Sequence, residues 1–244
     1  MTLPPPLPHS VLTFDCYGTL IDWETGIRDA FQPIAAKNKD SALTRAAFLQ
    51  LYHELEAQQQ RQTPDMLYCE LLATIHPQIC ERLNYAVRPT EEESRLFGES
   101  VGRWPAFPDT VEALHRLKKR GFKLVILSNV DRESFGKTNA AEGPLQGFPF
   151  DAVITAQDVG TYKPDAGNFK YMLDYVEREF GVKKEGVLQV AQSQFHDHQP
   201  AKREGMKSVW IDRRGAVMGN VGAGEEKYDW RMESLGEFAD SQCK

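Results

Sequence analysis

No run in this sequence approaches the roughly 18 uninterrupted apolar residues of a membrane helix; its longest apolar stretches, such as 124–127, are strand-sized. A helical membrane span is therefore excluded. A basic face is missing as well. The 29 Lys and Arg against 35 Asp and Glu leave a charge of −6, without the clustered cations of a nucleic-acid binder. The one basic cluster, Arg116 with Lys118, Lys119 and Arg120, suits the last turn of a helix, where cations meet the negative end of the dipole. Cysteine is scarce: Cys16, Cys69, Cys80 and Cys243 form no CxxC pair and follow no zinc-ligand spacing. The first ten residues hold four prolines and lack the basic start and apolar stretch of a secretory signal. The simplest expectation is a reduced, cytoplasmic protein with an extended, poorly ordered lead-in.

What is present is an ordinary globular composition, 41% hydrophobic and 26% charged, over a length that allows one large domain or a core carrying a smaller one. Val11-Leu12-Thr13-Phe14 is β-prone and stops at Asp15. From Trp23 to Arg103 the periodicity is helical, with Phe48, Leu51, Tyr52 and Leu55 on one face and a helix start expected at Thr63-Pro64-Asp65. Beyond Pro105 the pattern alternates. A helix capped by Asp109, with Glu112 at the capping-box spacing, leads to a strand at 123–127. A strand at 152–155, a helix at 169–180, a strand at 187–190, a helix at 200–204 and a strand at 208–211 follow. Alternating strands and helices imply right-handed crossovers and a parallel sheet. The fold class expected is α/β, with a core from 1–22 and 105–244 and a helical cap inserted at 23–104. The glycine-rich stretch 215–224 reads as a surface loop.

Ligands of a parallel sheet bind beyond the carboxyl ends of its strands. The first strand is followed by Asp15-Cys16-Tyr17-Gly18-Thr19-Leu20, and the second by Ser128-Asn129. Lys163-Pro164 lies a short loop beyond the third, and Gln192-Ser193-Gln194 with Asp197 follows the fourth. A carboxylate, a hydroxyl, an amide, a lysine and a second carboxylate thus fall on one rim. A strand-end Asp alone is usually a turn residue; four consecutive polar strand ends point to a site.

In these motifs the chain resembles the haloacid dehalogenase superfamily of hydrolases, and the 2-haloacid dehalogenase branch in particular. The likeness runs through nearly the whole chain. It implies a Rossmann-like core with a helical cap, and hydrolysis through an aspartyl ester. Asp15 would be the nucleophile, since a carboxylate serves as one when desolvated and held by donors. Lys163 would keep it ionised and in place. Asp197 would accept from Lys163 and orient the hydrolytic water. Thr19, Ser128, Asn129, Gln192 and Gln194 would steady the carboxylate or the substrate.

The superfamily's phosphatases carry a second Asp two residues after the nucleophile and an acid opening the last motif to help hold Mg²⁺. Here those positions are Tyr17 and Gln192. A halide needs no proton to leave, so the two losses fit metal-free displacement at carbon, with no cofactor. The expected substrate is a small (S)-2-haloacid. Another carbon electrophile, a weak phosphatase activity and a non-catalytic binding protein are the alternatives, and a homodimer is an assembly open to the chain.

Working 2-haloacid dehalogenases hold the leaving halide with a cap arginine. The matching stretch here, Leu51-Tyr52-His53-Glu54-Leu55-Glu56, has none, and Arg45 and Arg61 are the nearest substitutes. Phe169 stands where those enzymes carry Tyr. His196 and His198 could chelate a metal or act as a base, although solvated or core histidines are the commoner fate. Trp23, Tyr52, Tyr68 and Trp104 could wall an apolar pocket or simply pack the core.

Overall fold

The computed structural model describes residues 10–219 and 227–242. Six strands form one parallel sheet: β1 (Val11–Phe14), β2 (Lys123–Ser128), β3 (Ala152–Thr155), β4 (Val187–Ala191), β5 (Lys207–Ile211) and β6 (Trp230–Met232). Their order is β3-β2-β1-β4-β5-β6. β1 and β4 are buried at every position, as strands covered by helices on both faces must be. Thr13 and Gln189 are the polar exceptions in these two strands. Thr13 Oγ1 donates to Gln189 Oε1 at 2.5 Å, which satisfies both groups in a dry layer.

Four helices lie between β1 and β2 along the chain: α1 (Trp23–Lys37), α2 (Arg45–Gln62), α3 (Tyr68–Arg82) and α4 (Glu91–Glu99). Their shared core is aromatic. Phe31 stacks on Phe48 at 4.8 Å, and His76 lies flat against Phe97 at 4.3 Å. Burial drives the His76 pKa down to about 4, so the ring packs as a neutral plate. The chain leaves and re-enters the sheet side by side, Asp22 N donating to Pro105 O at 2.8 Å and Phe107 N to Leu20 O at 3.0 Å. Trp104 closes this junction, edge-on to Tyr17 at 5.7 Å. A Cβ on Gly26 would lie 2.2 Å from the Trp104 ring, so only glycine lets α1 seat there.

The second half carries α5 (Thr110–Lys119), α6 (Arg132–Thr138), α7 (Ala156–Val159), α8 (Ala166–Phe180), α9 (Gln199–Arg203) and α10 (Leu235–Gln242). Several expectations need correction. Asp109 makes no side-chain cap on α5. Its carboxylate instead takes Arg213 at 2.7 Å and Gly236 N at 2.8 Å, partners far away in sequence. Thr63 ends α2, and α3 begins only at Tyr68. α6, α7, β6 and α10 lie outside the elements expected from the sequence, since each is short and carries little periodic signal. The expected lead-in, residues 1–9, and Cys243 lie outside the described residues. Among the described residues no helix is long and apolar enough to cross a membrane.

Candidate active site

The strand order reverses direction between β1 and β4, and the crevice beyond the carboxyl ends at such a switch point is where α/β sheets bind ligands. Asp15 leaves β1 at that point. Ser128 ends β2, and Gln192 and Ser193 follow β4. A single π-helical turn, Gln194–His198, then presents Asp197; such turns recur at functional sites because they re-aim side chains.

Lys163 joins these elements. Its Nζ donates to Asp15 Oδ1 at 3.0 Å, to Asp197 Oδ1 at 2.8 Å and to the carbonyl of Leu127 at 2.9 Å. All three donors of the ammonium are thus used, and its side chain is 1% exposed. Burial lowers the Lys163 pKa and the two carboxylates raise it; the net direction is upward, so the ammonium persists. Asp15 Oδ2 accepts from Thr19 Oγ1 at 2.7 Å, and Thr19 Oγ1 in turn accepts from Gln192 N at 2.9 Å. Asn129 pairs with the Lys163 backbone in both directions, at 2.6 and 3.0 Å. Its side chain therefore positions the lysine.

Asp197 is fully buried, and burial pushes its pKa up to about 7 against the pull of Lys163. Gln189 Nε2 donates to the same Oδ1 at 3.0 Å. Oδ2 of Asp197 and Oγ of Ser128 are buried without a hydrogen-bond partner among the described residues. Both residues line a cavity of about 640 Å³ that also reaches Asp15, Lys163 and His196. Orphaned polar atoms facing a cavity are partner sites for a ligand or water.

The cavity continues under α2, where His53, Glu54 and Glu56 line it. Glu56 is nearly enclosed. Its Oε1 accepts from Tyr68 Oη at 2.5 Å and Tyr52 Oη at 3.2 Å, and its Oε2 lies 3.5 Å from His53 Nδ1. That carboxylate raises the His53 pKa. Trp23 and Tyr68 wall the cavity, whereas Tyr52 supports Glu56 from behind and Trp104 stays at the junction. Among the described residues Lys163 is the only lysine or arginine that lines it. Arg45 pairs with buried Glu24 at 2.8 Å and lines a smaller cavity on the far side of Trp23. Arg61 is exposed near the end of α2. Neither replaces the missing arginine.

Gln194 and the glycine-rich stretch differ from expectation, while His198 takes the commoner core role. Gln194 is buried, its amide is unpartnered among the described residues, and it does not line the cavity. His198 is a core histidine held by Ser208 Oγ and Ala191 O, both at 2.9 Å. His196 faces the cavity, and burial lowers its pKa to about 4. The described part of the glycine-rich stretch is no free surface loop. Glu24 accepts from Val217 N and Met218 N at 2.8–3.1 Å, and Val217, Met218 and Gly219 roof the cavity. Residues 220–224 lie outside the described residues.

Tyr17 Oη bonds Thr138 Oγ1 at 2.8 Å and the Gln192 amide donates to Met218 O at 2.8 Å. Neither side chain offers the carboxylate that Mg²⁺ prefers. Among the described residues no group of three or more His, Cys, Asp or Glu is placed to hold a metal ion. The donor set does not fit a divalent cation.

A family model described as haloacid dehalogenase-like hydrolase matches residues 9–190. The (S)-2-haloacid dehalogenase H-109 of Pseudomonas putida is 29% identical over 161 residues, 66% of this chain and 66% of that protein. The chain therefore spans just under two thirds of that relative. Haloacetate dehalogenase H-2 of Moraxella sp. (strain B) is 29% identical over 218 residues, 86% of this chain and 89% of that protein. The L-2-haloacid dehalogenase structure from Xanthobacter autotrophicus superposes with a TM-score of 0.73 at 18% identity, over 95% of this chain and 97% of that one. The last likeness speaks to the fold.

Proposed function

Because the chain belongs to the haloacid dehalogenase-like hydrolases, we propose that it hydrolyses a carbon–leaving-group bond through an ester on Asp15, nominally converting a small (S)-2-haloacid to the 2-hydroxy acid. The observation that carries this reading is the Asp15–Lys163–Asp197 bridge in the cavity of about 640 Å³. An Asp15 oxygen attacks C2, the carbon–halogen bond breaks, and the halide leaves with its electron pair. Lys163 and Thr19 hold the carboxylate in line for that attack. Water then adds to the ester carbonyl, one proton passing to Oδ2 of Asp197. The bond between the acyl carbon and the substrate oxygen breaks, and that oxygen, originally of Asp15, takes the proton of the new Asp15 hydroxyl. The hydroxy acid departs while Asp197 returns its proton to solvent. The helices of 23–104 act as the cap that excludes solvent, and the unpaired cysteines of the described residues support a cytoplasmic setting.

Incubation with (S)-2-chloropropionate and measurement of chloride release tests the reading directly. Turnover is expected to be unchanged by EDTA, since no step calls on a metal. A Mg²⁺-dependent phosphatase rate exceeding any rate at carbon would overturn the assignment.

The role of Asp197 sets a pH dependence. Only its ionised form can take the proton from water, and its pKa stands near 7. Ester breakdown is therefore expected to rise with pH and to level off once Asp197 is ionised, below about 7, because esterification removes the Asp15 charge that helps raise the Asp197 pKa. Asp197→Asn is expected to slow that step by roughly 10²–10⁴-fold and to flatten the profile. A wild-type profile flat from pH 5 to 9 would show that another group accepts the proton.

A further inference from the structure

On the premise that Asp15 attacks carbon, a halide with nearly a full negative charge must be received elsewhere in the cavity. Displacement at a saturated carbon is in line, so the leaving group departs on the side away from the entering oxygen. Asp15 stands on the rim of the sheet, and the cavity runs from there to α2. The halide is therefore delivered toward the α2 wall. Lys163 cannot meet it, because its three donors are spent on Asp15, Asp197 and the carbonyl of Leu127. No other lysine or arginine lines the cavity among the described residues.

One face of α2 presents Gln50, His53 and Gln60 to the cavity at helical spacing. The His53 ring is half-exposed there, and its Nδ1 lies 3.5 Å from Glu56 Oε2. Glu56 is itself fixed from behind: Tyr68 Oη donates to its Oε1 at 2.5 Å and stands 2.7 Å from Tyr52 Oη. The Glu56 carboxylate raises the His53 pKa and Glu54 adds to the effect, while burial opposes both; the balance favours the imidazolium. The other titratable groups of the cavity that face α2 are His196, which burial keeps neutral with a pKa of about 4, and the Asp15, Lys163 and Asp197 cluster at the rim. Among the described residues His53 Nε2 has no hydrogen-bond partner, so its N–H is open to a ligand. A charged donor set in place before the charge develops is the kind that lowers a barrier. We infer that His53, braced by Glu56, is the catalytic residue that takes the leaving halide. As the bond from Asp15 oxygen to carbon forms and the carbon–halogen bond breaks, the halide keeps the electron pair and accepts from Nε2–H. The proton stays on the ring, and the halide departs as an anion.

The test separates binding from chemistry. Chloride binding is followed by chloride-35 line broadening from pH 6 to 9 in the wild type, His53→Gln and His53→Arg. Wild-type affinity is expected to fall about tenfold or more as the imidazolium loses its proton. His53→Gln is expected to bind at pH 6 about tenfold or more weakly than the wild type, and His53→Arg to match the wild type there and to hold its affinity at high pH. Ionisation of Asp197 also disfavours an anion as pH rises, and its share is the fall that persists in His53→Arg. Glu56→Gln is expected to move the His53 fall to lower pH, and it serves should a His53 variant fail to fold. Wild-type affinity that is absent, flat with pH, or retained in folded His53→Gln would overturn the inference. In single turnovers of (S)-2-chloropropionate and (S)-2-bromopropionate, His53→Gln is expected to slow chloride release by roughly 10²–10³-fold and bromide release by less, because the poorer leaving group depends more on the donor. Equal slowing of both would mark a merely structural role and overturn the inference as well. Chloride binding that depends on His53, with no halide released from either acid by the wild type, would uphold His53 as the anion-receiving residue and overturn attack at carbon.

Discussion

Asp15→Asn is expected to abolish turnover, with a loss of about 10⁴–10⁶-fold, the scale seen when a covalent nucleophile is removed. The amide has nearly the volume of the carboxylate, and its oxygen can still accept from Lys163 while its NH2 faces Thr19 Oγ1 as a donor, so the fold should survive. What disappears is the anionic oxygen that forms the bond to carbon. In the wild type, one turnover in oxygen-18 water should deliver product carrying unlabelled oxygen, while Asp15 takes up the label and gains two mass units. A first-turnover product labelled fully from solvent would mean that water, and not Asp15, attacks the substrate.

Replacing Lys163 acts on both rate and stability. Lys163→Met removes the only cation between two carboxylates, Asp15 and Asp197, that lie 3.0 and 2.8 Å from its nitrogen. Breaking a buried ion pair by removing one partner costs about 3–5 kcal/mol, and for a chain of this size each kcal/mol lowers Tm by about 2–4 °C. A melt displaced downward by roughly 6–20 °C follows from the two figures. The deficit should deepen as pH rises. Without the lysine, burial leaves the Asp197 carboxyl binding its proton more tightly in the folded state than in the unfolded state, so raising the pH removes that proton at the expense of the native form. Activity should fall by at least about 10²-fold, because the carboxylate proposed as nucleophile loses the ammonium that orients it. The double variant Lys163→Met/Asp197→Asn should recover part of the lost Tm while remaining inactive. Recovery of activity as well would show that Lys163 serves only to offset Asp197.

The chemistry at the floor of the cavity was legible in the residue order. A parallel sheet places the residue after each strand on a common rim, so Asp15, Ser128, Asn129, Lys163 and Asp197 could be grouped before any distance was known. Five of the six strands were legible for the same reason, as short apolar runs bounded by turn residues. Gln189 was missed, yet it carried a signal: a lone amide in the run Val187-Leu188-Gln189-Val190-Ala191 needs a buried partner, and that partner turns out to be Thr13 and Asp197.

The sequence by itself determined the α/β core and placed Asp15, Tyr17 and Gln192 at the strand ends, because each depends on residue type and local order; the resemblance added the role proposed for Asp15. Tertiary structure decided which groups share the cavity. Helix α2 turns Glu56 inward and leaves Arg61 in solvent, a matter of rotation about the helix axis that composition does not reveal. Glu24 reaches across to tie down 217–218, Asp109 pairs with Arg213 instead of capping α5, and Gln194, in the π-helical turn, is buried away from the cavity. Each of these outcomes rests on partners distant along the chain, and the physical reason is the same: a buried polar group takes whichever partner the packing brings within reach.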